Sequence, residues 1–347
     1  MFTTIEIHSV IANWSLEAIY DYSADQGLIN HTWIIGHPPK GVLQWVNPIF
    51  DPNIHYNIDQ ITKHLHKKNI TTPQLIKTNS GQLYIDGTGI SAHKGSWRML
   101  EFIPGVTNNT MSSTQLAYQA GKLVGKFHEG LSDCVVDWKG TLREMHNTQQ
   151  RMKELTEALV KATGHHLEKE AVQLGQQILQ SWQNWSGNIF LPKRICHGDL
   201  KISNLHFDKT GVGVCLLDLD TLGMGDYSIE MGDAWRSWCN TTGESDPNAA
   251  SFNLDIFASS VQGWLEFVSP TLEEKEALVP GIERICLELA SRFCADAINN
   301  NYFKEDIRQF PIIGTHNLCR AQTQFNLAQS VLAQRTLAEQ IVQEYCR

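Results

Sequence analysis

No stretch of this 347-residue chain is apolar for long enough to span a bilayer, and Met1-Phe2-Thr3-Thr4-Ile5-Glu6 has neither a basic leader nor the apolar run of a secretory signal. The expectation is a cytoplasmic protein with no membrane partner. Basic charge is scarce too: Lys and Arg total 28 against 37 Asp and Glu, a formal net charge of -9. That field repels a phosphate backbone and argues against nucleic acid as a partner. The 8 cysteines include no C-x-x-C pair, so neither a zinc knuckle nor a redox motif is indicated. Dispersed and often inside apolar patterns, they read as reduced, buried thiols. Repeats, low-complexity tracts and long linkers are also missing. What is present, 42% hydrophobic and 19% charged residues, is ordinary globular composition, long enough for two lobes with separate cores.

Runs rich in branched and aromatic residues occur at 20–23, 32–35, 42–46, 75–78, 83–86 and 97–102. His37-Pro38-Pro39-Lys40-Gly41 and Asn79-Ser80-Gly81 supply turn chemistry between them. Ile58, Ile61 and Leu65 recur at helical spacing and predict one helix over 58–68. After Ile103-Pro104-Gly105 the period changes. Residues 113–130 place Leu116, Ala120, Leu123, Val124 and Phe127 on one helical face, 148–185 reads as a helical hairpin broken near Gly164-His165-His166, and 321–345 is one amphipathic run. The expected fold is α+β: a small antiparallel sheet with one helix over 1–103, and a larger, mainly helical part over 104–347.

The strongest chemical signal is Cys196-His197-Gly198-Asp199-Leu200-Lys201-Ile202-Ser203-Asn204, followed by Leu216-Leu217-Asp218-Leu219-Asp220. An H-x-D-x-x-x-x-N loop with a second Asp after an apolar run lays out a phosphoryl-transfer site. One carboxylate orients a hydroxyl, while an amide and another carboxylate hold Mg²⁺ against the phosphates of ATP. Asp199 is then the candidate base, Asn204 and Asp218 are candidate metal ligands, and Lys201 would neutralise the transferred phosphoryl group. The competing reading is a turn whose Asp and Asn satisfy backbone donors. His197, Lys201 and the flanking apolar runs together favour the site.

His197 is expected to fix the backbone beneath Asp199 rather than react. Asp220 is open between a further metal contact and a cap for Thr221-Leu222-Gly223. Asp233, in Gly232-Asp233-Ala234-Trp235-Arg236, is expected where a helix begins, as a cap or a bond back to the loop, with Arg236 pairing it or reaching substrate. Gly27-Leu28-Ile29-Asn30-His31-Thr32 reads equally as a backbone cradle for nucleotide phosphates or as a plain hairpin turn. Arg292, Asp296 and Tyr302, in an amide-rich stretch, offer directional groups suited to a neutral sugar; the alternative is an i,i+4 pair of Arg292 and Asp296 on a solvated face.

These motifs resemble the aminoglycoside phosphotransferase and choline kinase superfamily, which has a bilobal, protein-kinase-like fold. More narrowly, Leu43-Gln44-Trp45-Val46-Asn47-Pro48-Ile49-Phe50, Asp218-Leu219-Asp220-Thr221, Arg292-Phe293-Cys294-Ala295-Asp296, Tyr302-Phe303 and His316-Asn317-Leu318-Cys319-Arg320-Ala321 are similar to the N-acetylhexosamine 1-kinases. The resemblance runs from about Gly27 to Gln324. It implies Asp199 as base, Asn204 and Asp218 as metal ligands, Glu101 to Ile103 as the hinge beside adenine, and Arg292 and Tyr302 as sugar contacts. With Gly27, Asn30, Thr32 and Gln44 over the nucleotide, it implies a sugar kinase that uses Mg²⁺ and ATP and phosphorylates the anomeric C1 of an amino sugar. There are departures: Gln44 stands where kinases carry a strand Lys, Trp45 replaces a basic residue, residues 58–68 hold no Glu, and the step from Arg292 to Tyr302 is one residue short. They keep open a nucleotide-binding regulatory module without turnover, and aminoglycoside, choline or homoserine as acceptors. The intact Asp199, Asn204 and Asp218 argue for the enzyme.

Overall fold

Residues 2–16, 20–23, 29–87, 94–140 and 146–345 are described by the computed structural model. A helix not foreseen from the pattern comes first. In α1 (Thr4–Ile11), Thr3 Oγ1 accepts from the Glu6 amide at 3.2 Å and Glu6 Oε2 from the Thr3 amide at 2.7 Å, a reciprocal cap that starts the helix. Then come β1 (Tyr20–Ser23), β2 (His31–Ile35), β3 (Gly41–Val46), α2 (Ile54–Lys67), β4 (Leu75–Ile76), β5 (Ile85–Asp86) and β6 (Ser96–Glu101). The strands form an antiparallel sheet in the order β1-β2-β3-β6-β4, with β5 also on β6. The runs expected at 75–78 and 83–86 shrink to two residues each. The chain turns between them, with the Thr78 amide donating to Gln82 O at 2.9 Å and the Gln82 amide to Thr78 Oγ1 at 3.0 Å.

Strand periodicity sorts this sheet. Trp33, Ile35, Leu43, Trp45, Trp97 and Met99 face outward and are covered by Ile7, Val10 and Ile11 of α1. Trp45 therefore packs under α1, and the opposite face receives Gln44 and Arg98, which are direct cross-strand partners.

The remainder is mainly helical: β7 (Val106–Thr107), α3 (Thr114–Leu131), α4 (Thr148–Lys161), α5 (Glu168–Asn184), β8 (Arg194–Cys196), β9 (Leu205–Phe207), β10 (Gly213–Leu216), β11 (Gly223–Gly225), α6 (Tyr227–Trp238), α7 (Leu254–Leu265), α8 (Leu272–Asn299), α9 (Thr315–Ala333) and α10 (Arg335–Tyr345). The α4–α5 hairpin turns near Gly164, which has φ +80°, as the sequence suggested. The run at 321–345 is instead split into α9 and α10 at Gln334, whose Nε2 donates to Phe252 O at 3.0 Å. Helices α3 and α7 approach closely because Gly121 and Gly263 lie between them: a Cβ at either would sit 2.1 Å from Ser260 O or 2.2 Å from Tyr118 O. No described helix is long and apolar enough to cross a membrane.

Candidate active site

The loop from β8 to β9 carries Asp199, Lys201 and Asn204, and Asp218 follows β10. Two bonds join these segments. Leu217 N donates to Asn204 O at 2.8 Å, and His197 Nε2 donates to Leu217 O at 2.8 Å. His197 Nδ1 accepts from the Asp199 amide at 3.3 Å, which leaves Nε2 as the donor to Leu217 O. It positions backbone. Gly198 has φ +82°, and a Cβ there would lie 2.6 Å from Thr221 O, so only glycine fits.

Asp199 Oδ2 accepts from Lys201 Nζ at 2.5 Å and Asn204 Nδ2 at 3.0 Å; Nδ2 also reaches the Asp199 carbonyl at 2.8 Å. Its Oδ1 takes no donor among the described residues, which leaves it for a hydroxyl proton. Burial works to raise this carboxyl, but the Lys201 charge and hydrogen bond, with the Arg236 charge behind them, outweigh it and hold the group below its ordinary value. Lys201 is correspondingly held protonated: burial opposes its charge, and Asp199 and Asp218 more than compensate.

Asp218 opens to the cleft with a left-handed backbone, φ 59° and ψ 62°. Its carboxyl is pushed up to about 6, first by the protein closing around it and then by the charge of Asp220. The Asp218 carboxylate, one residue past the Leu217 amide that bonds Asn204 O, and the Asn204 side-chain oxygen, whose NH₂ is spent on Asp199, are oxygens of the type a hard divalent cation takes.

Helix α6 holds this loop at three points. Glu230 accepts from the amides of His197 at 2.7 Å and Gly198 at 2.9 Å, Ser237 Oγ from the Ile202 amide at 3.1 Å, and Trp238 Nε1 donates to Leu200 O at 2.8 Å. His128 Nε2 donates to Glu230 as well, at 3.1 Å, while its Nδ1 accepts from Trp264 Nε1 at 3.0 Å. Glu230 is 1% exposed. Burial raises its carboxyl, yet the bonds from His128 and the Gly198 amide hold it below the ordinary 4.5. Glu230→Gln should therefore cost roughly 2–4 kcal/mol in a urea titration, because the amide NH₂ faces donors. A depressed carboxyl stabilises fully above its unfolded pKa and loses that effect as pH falls through the folded value, so the gap between variant and wild type should narrow as pH falls below 4.5. A constant gap from pH 7 to 3 would show that Glu230 contributes through packing.

Asp233 is not at a helix start. Asp226 caps α6, accepting from the Ile229 amide at 3.2 Å, while Asp233 lies well inside the helix. The pairing expected of Arg236 forms: Nε is 3.0 Å and Nη2 2.9 Å from Asp233 Oδ1, and Nη1 is 2.6 Å from Glu244 Oε1. Arg236 acts on Asp199 through charge.

Asp220 follows neither alternative. Its Oδ1 pairs with Arg98 Nη1 and its Oδ2 accepts from Asn30 Nδ2 at 2.7 Å. Gln44 Oε1 accepts from Arg98 Nε and Nη2 at 2.9 and 2.7 Å, and its Nε2 donates to Thr32 Oγ1 at 3.2 Å. The side chains of Asn30, Thr32 and Gln44, expected over the nucleotide, are thus joined to one another through Arg98 and Asp220. Gly27 lies outside the described residues. Glu101 is exposed at the end of β6, and the Ile103 carbonyl accepts from His206 Nε2 at 3.1 Å.

Arg292 lies over the rings of Tyr302 and Phe303, 5.4 and 5.3 Å from their centroids, at a cavity of about 280 Å³ that Arg151, Glu154 and Lys161 of α4 also line. Asp296 has a different task from the sugar contact expected of it. Its Oδ1 accepts from the amides of Asn301 and Tyr302 at 2.9 and 3.0 Å, and its Oδ2 from the Phe303 amide and Asn317 Nδ2 at 2.8 and 3.2 Å. All four lone-pair positions are filled, and it is 4% exposed: it shapes the turn after α8.

A small antiparallel sheet on a mainly helical body, with the loop of Asp199 and Asn204 bonded to the segment that carries Asp218, is the layout of a kinase-like phosphotransferase fold. The phosphotransferase enzyme family matches residues 25–259; the chain belongs to it and is a small-molecule phosphotransferase. The fold is similar to that of an amicoumacin kinase solved in complex with AMP-PNP, Ca²⁺ and Ami (13% identity, 94% of this chain and 93% of that one, TM-score 0.64). It is also similar to a microcompartment-associated aminopropanol kinase (14%, 95% and 98%, 0.64) and to a choline/ethanolamine kinase family protein from Mesorhizobium loti (12%, 99% and 97%, 0.59). At such identities the likeness is one of fold.

Sequence reasoning passed over Glu230 and Arg98. The available signal was a lone charge inside an apolar run: Glu230 between Ile229 and Met231, Arg98 between Trp97 and Met99.

Proposed function

We propose that this phosphotransferase moves the γ-phosphoryl group of ATP, with Mg²⁺, to the anomeric hydroxyl of an N-acetylhexosamine. The observation that carries the chemistry is the Asp199 carboxylate, with one oxygen anchored by Lys201 and Asn204 and the other free. In this reading Oδ1 orients the acceptor hydroxyl and takes its proton as the bond to phosphorus forms. Lys201 shifts toward the transferred phosphoryl group. Asn204 Oδ1 and Asp218 hold the metal, which when bound neutralises charge on the phosphates. The division is residues 1–103 over the nucleotide and 104–347 for the catalytic loop and acceptor. At the hinge, the Ile103 N–H and the Glu101 carbonyl would meet the adenine edge, since the Ile103 carbonyl is already taken by His206. The reading also places the protein in the cytoplasm; the seven described cysteines are free thiols.

For the acceptor, support comes from Arg292 and Tyr302, which meet at one cavity and match the sugar contacts of the resembled kinases. No catalytic-loop residue lines that cavity. Arg292→Ala therefore separates a sugar subsite from a wall that only packs. A subsite predicts a KM for sugar raised about 10-fold or more with KM for ATP unchanged, the loss of a charged hydrogen bond. Equal KM values in both proteins would remove Arg292 from the acceptor site. A screen of N-acetylglucosamine, N-acetylgalactosamine, aminoglycosides, choline and homoserine, read by ³¹P NMR, tests the assignment. An acid-labile sugar 1-phosphate is the expected product, and activity confined to choline, homoserine or an aminoglycoside would overturn the sugar reading.

A further inference from the structure

Among the described Lys and Arg residues of the sheet lobe, one is buried. Arg98 is the one arginine in residues 1–103, and the lysines described there, at 40, 63, 67, 68, 77 and 94, are all exposed. Arg98 itself is 1% exposed, on β6 directly opposite Gln44 of β3, the place where the strand lysine is missing. In the helix that covers this face, the ionisable residue near Arg98 is His55 rather than a carboxylate. Its Nδ1 lies 2.6 Å from Pro52 O, its ring stacks on Tyr84, and burial followed by the Arg98 charge lowers it to about 4, leaving it neutral. With no anion from α2, the guanidinium takes its counter-charge from across the lobes, at Asp220.

Asp220 belongs to the 3₁₀ turn immediately after Asp218. Asp218 has a left-handed backbone, a conformation that disfavours a residue with a Cβ and persists only where neighbours hold it. Arg98 and Asn30 grip one oxygen of Asp220 each, and Asn30 Oδ1 in turn accepts from the Asn47 amide at 3.0 Å. Strand β6, through Arg98, and the residue just before β2, Asn30, thereby clamp the turn that carries Asp218.

We propose that Arg98 is a positioning residue that takes over the part of the missing strand lysine: through Asp220 it ties the sheet lobe to the turn that presents Asp218 to the metal. This rests on the reading of Asp218 as a metal ligand. Arg98 does its work without touching the nucleotide, because all three of its nitrogens are directed at Gln44 and Asp220.

The test is calorimetry of ADP binding with and without MgCl₂, which needs no turnover. Wild type should bind ADP more tightly with Mg²⁺. Arg98→Met should leave metal-free ADP affinity near wild type and reduce the Mg²⁺-dependent gain roughly 10- to 100-fold, the scale on which loss of an outer group that orients a metal ligand acts. A through-space effect has the opposite sign, since deleting a positive charge beside a cation strengthens cation binding. Arg98→Lys and Asn30→Ala, neither of which strips a charge from the core, carry the test if Arg98→Met does not fold; a smaller loss in the same direction is expected from each. Folded variants with an undiminished or larger Mg²⁺ gain would overturn the inference alone and show the clamp to be structural. A wild type with no Mg²⁺ gain would overturn the metal reading together with it.

Discussion

Asp199→Asn should cut turnover by about 100-fold or more while ATP binding stays close to wild type. The amide keeps the shape of the side chain and still presents an oxygen to Asn204 Nδ2, but it cannot accept a proton and no longer carries the charge that pairs with Lys201. A coupled ADP-release assay gives kcat, and calorimetry with ATP gives the affinity. If affinity falls in step with turnover, the effect is a collapse of the loop. If turnover survives, another group takes the proton.

The second large effect is expected at Asp218. Asp218→Asn should remove most of the Mg²⁺-dependent part of ATP binding and lower turnover by about 100-fold or more, since charge neutralisation on the phosphates is worth several kcal/mol. Asn is a better choice than Ala here. The backbone is left-handed, and Asn tolerates that conformation where Ala adds a strain of about 1–2 kcal/mol unrelated to metal. Titrating ATP into wild type and variant with and without Mg²⁺ decides it: the same metal dependence in both would make Asp218 a structural residue.

Parts of the site and fold were legible because their chemistry is local. The step from Asp199 to Asn204 is short enough for one loop, and the structure closes it with bonds between those two residues. The α4–α5 hairpin followed from a glycine between two helical periods. The first helix was missed because eight residues carry only two turns of pattern, and its defining signal is the Thr3–Glu6 cap. Asp296 was misjudged for a related reason. An Asp one turn from an Arg on a helix looks like a contact or a pair, whereas its donors come from a turn that the helix end creates.

The sequence by itself determined the family, the candidate loop from His197 to Asn204 and the succession of a β-rich part and a helical part. All three are written in spacing and period, which survive in one dimension. Only the tertiary structure decided which buried charges meet. Glu230 reaches the catalytic loop from a helix 33 residues on, and Arg98 finds Asp220 across the lobes at a separation of 122 residues. A buried ion must be paired wherever the fold brings a counter-charge, and that choice is made by packing between elements, not by the residues beside it in the chain.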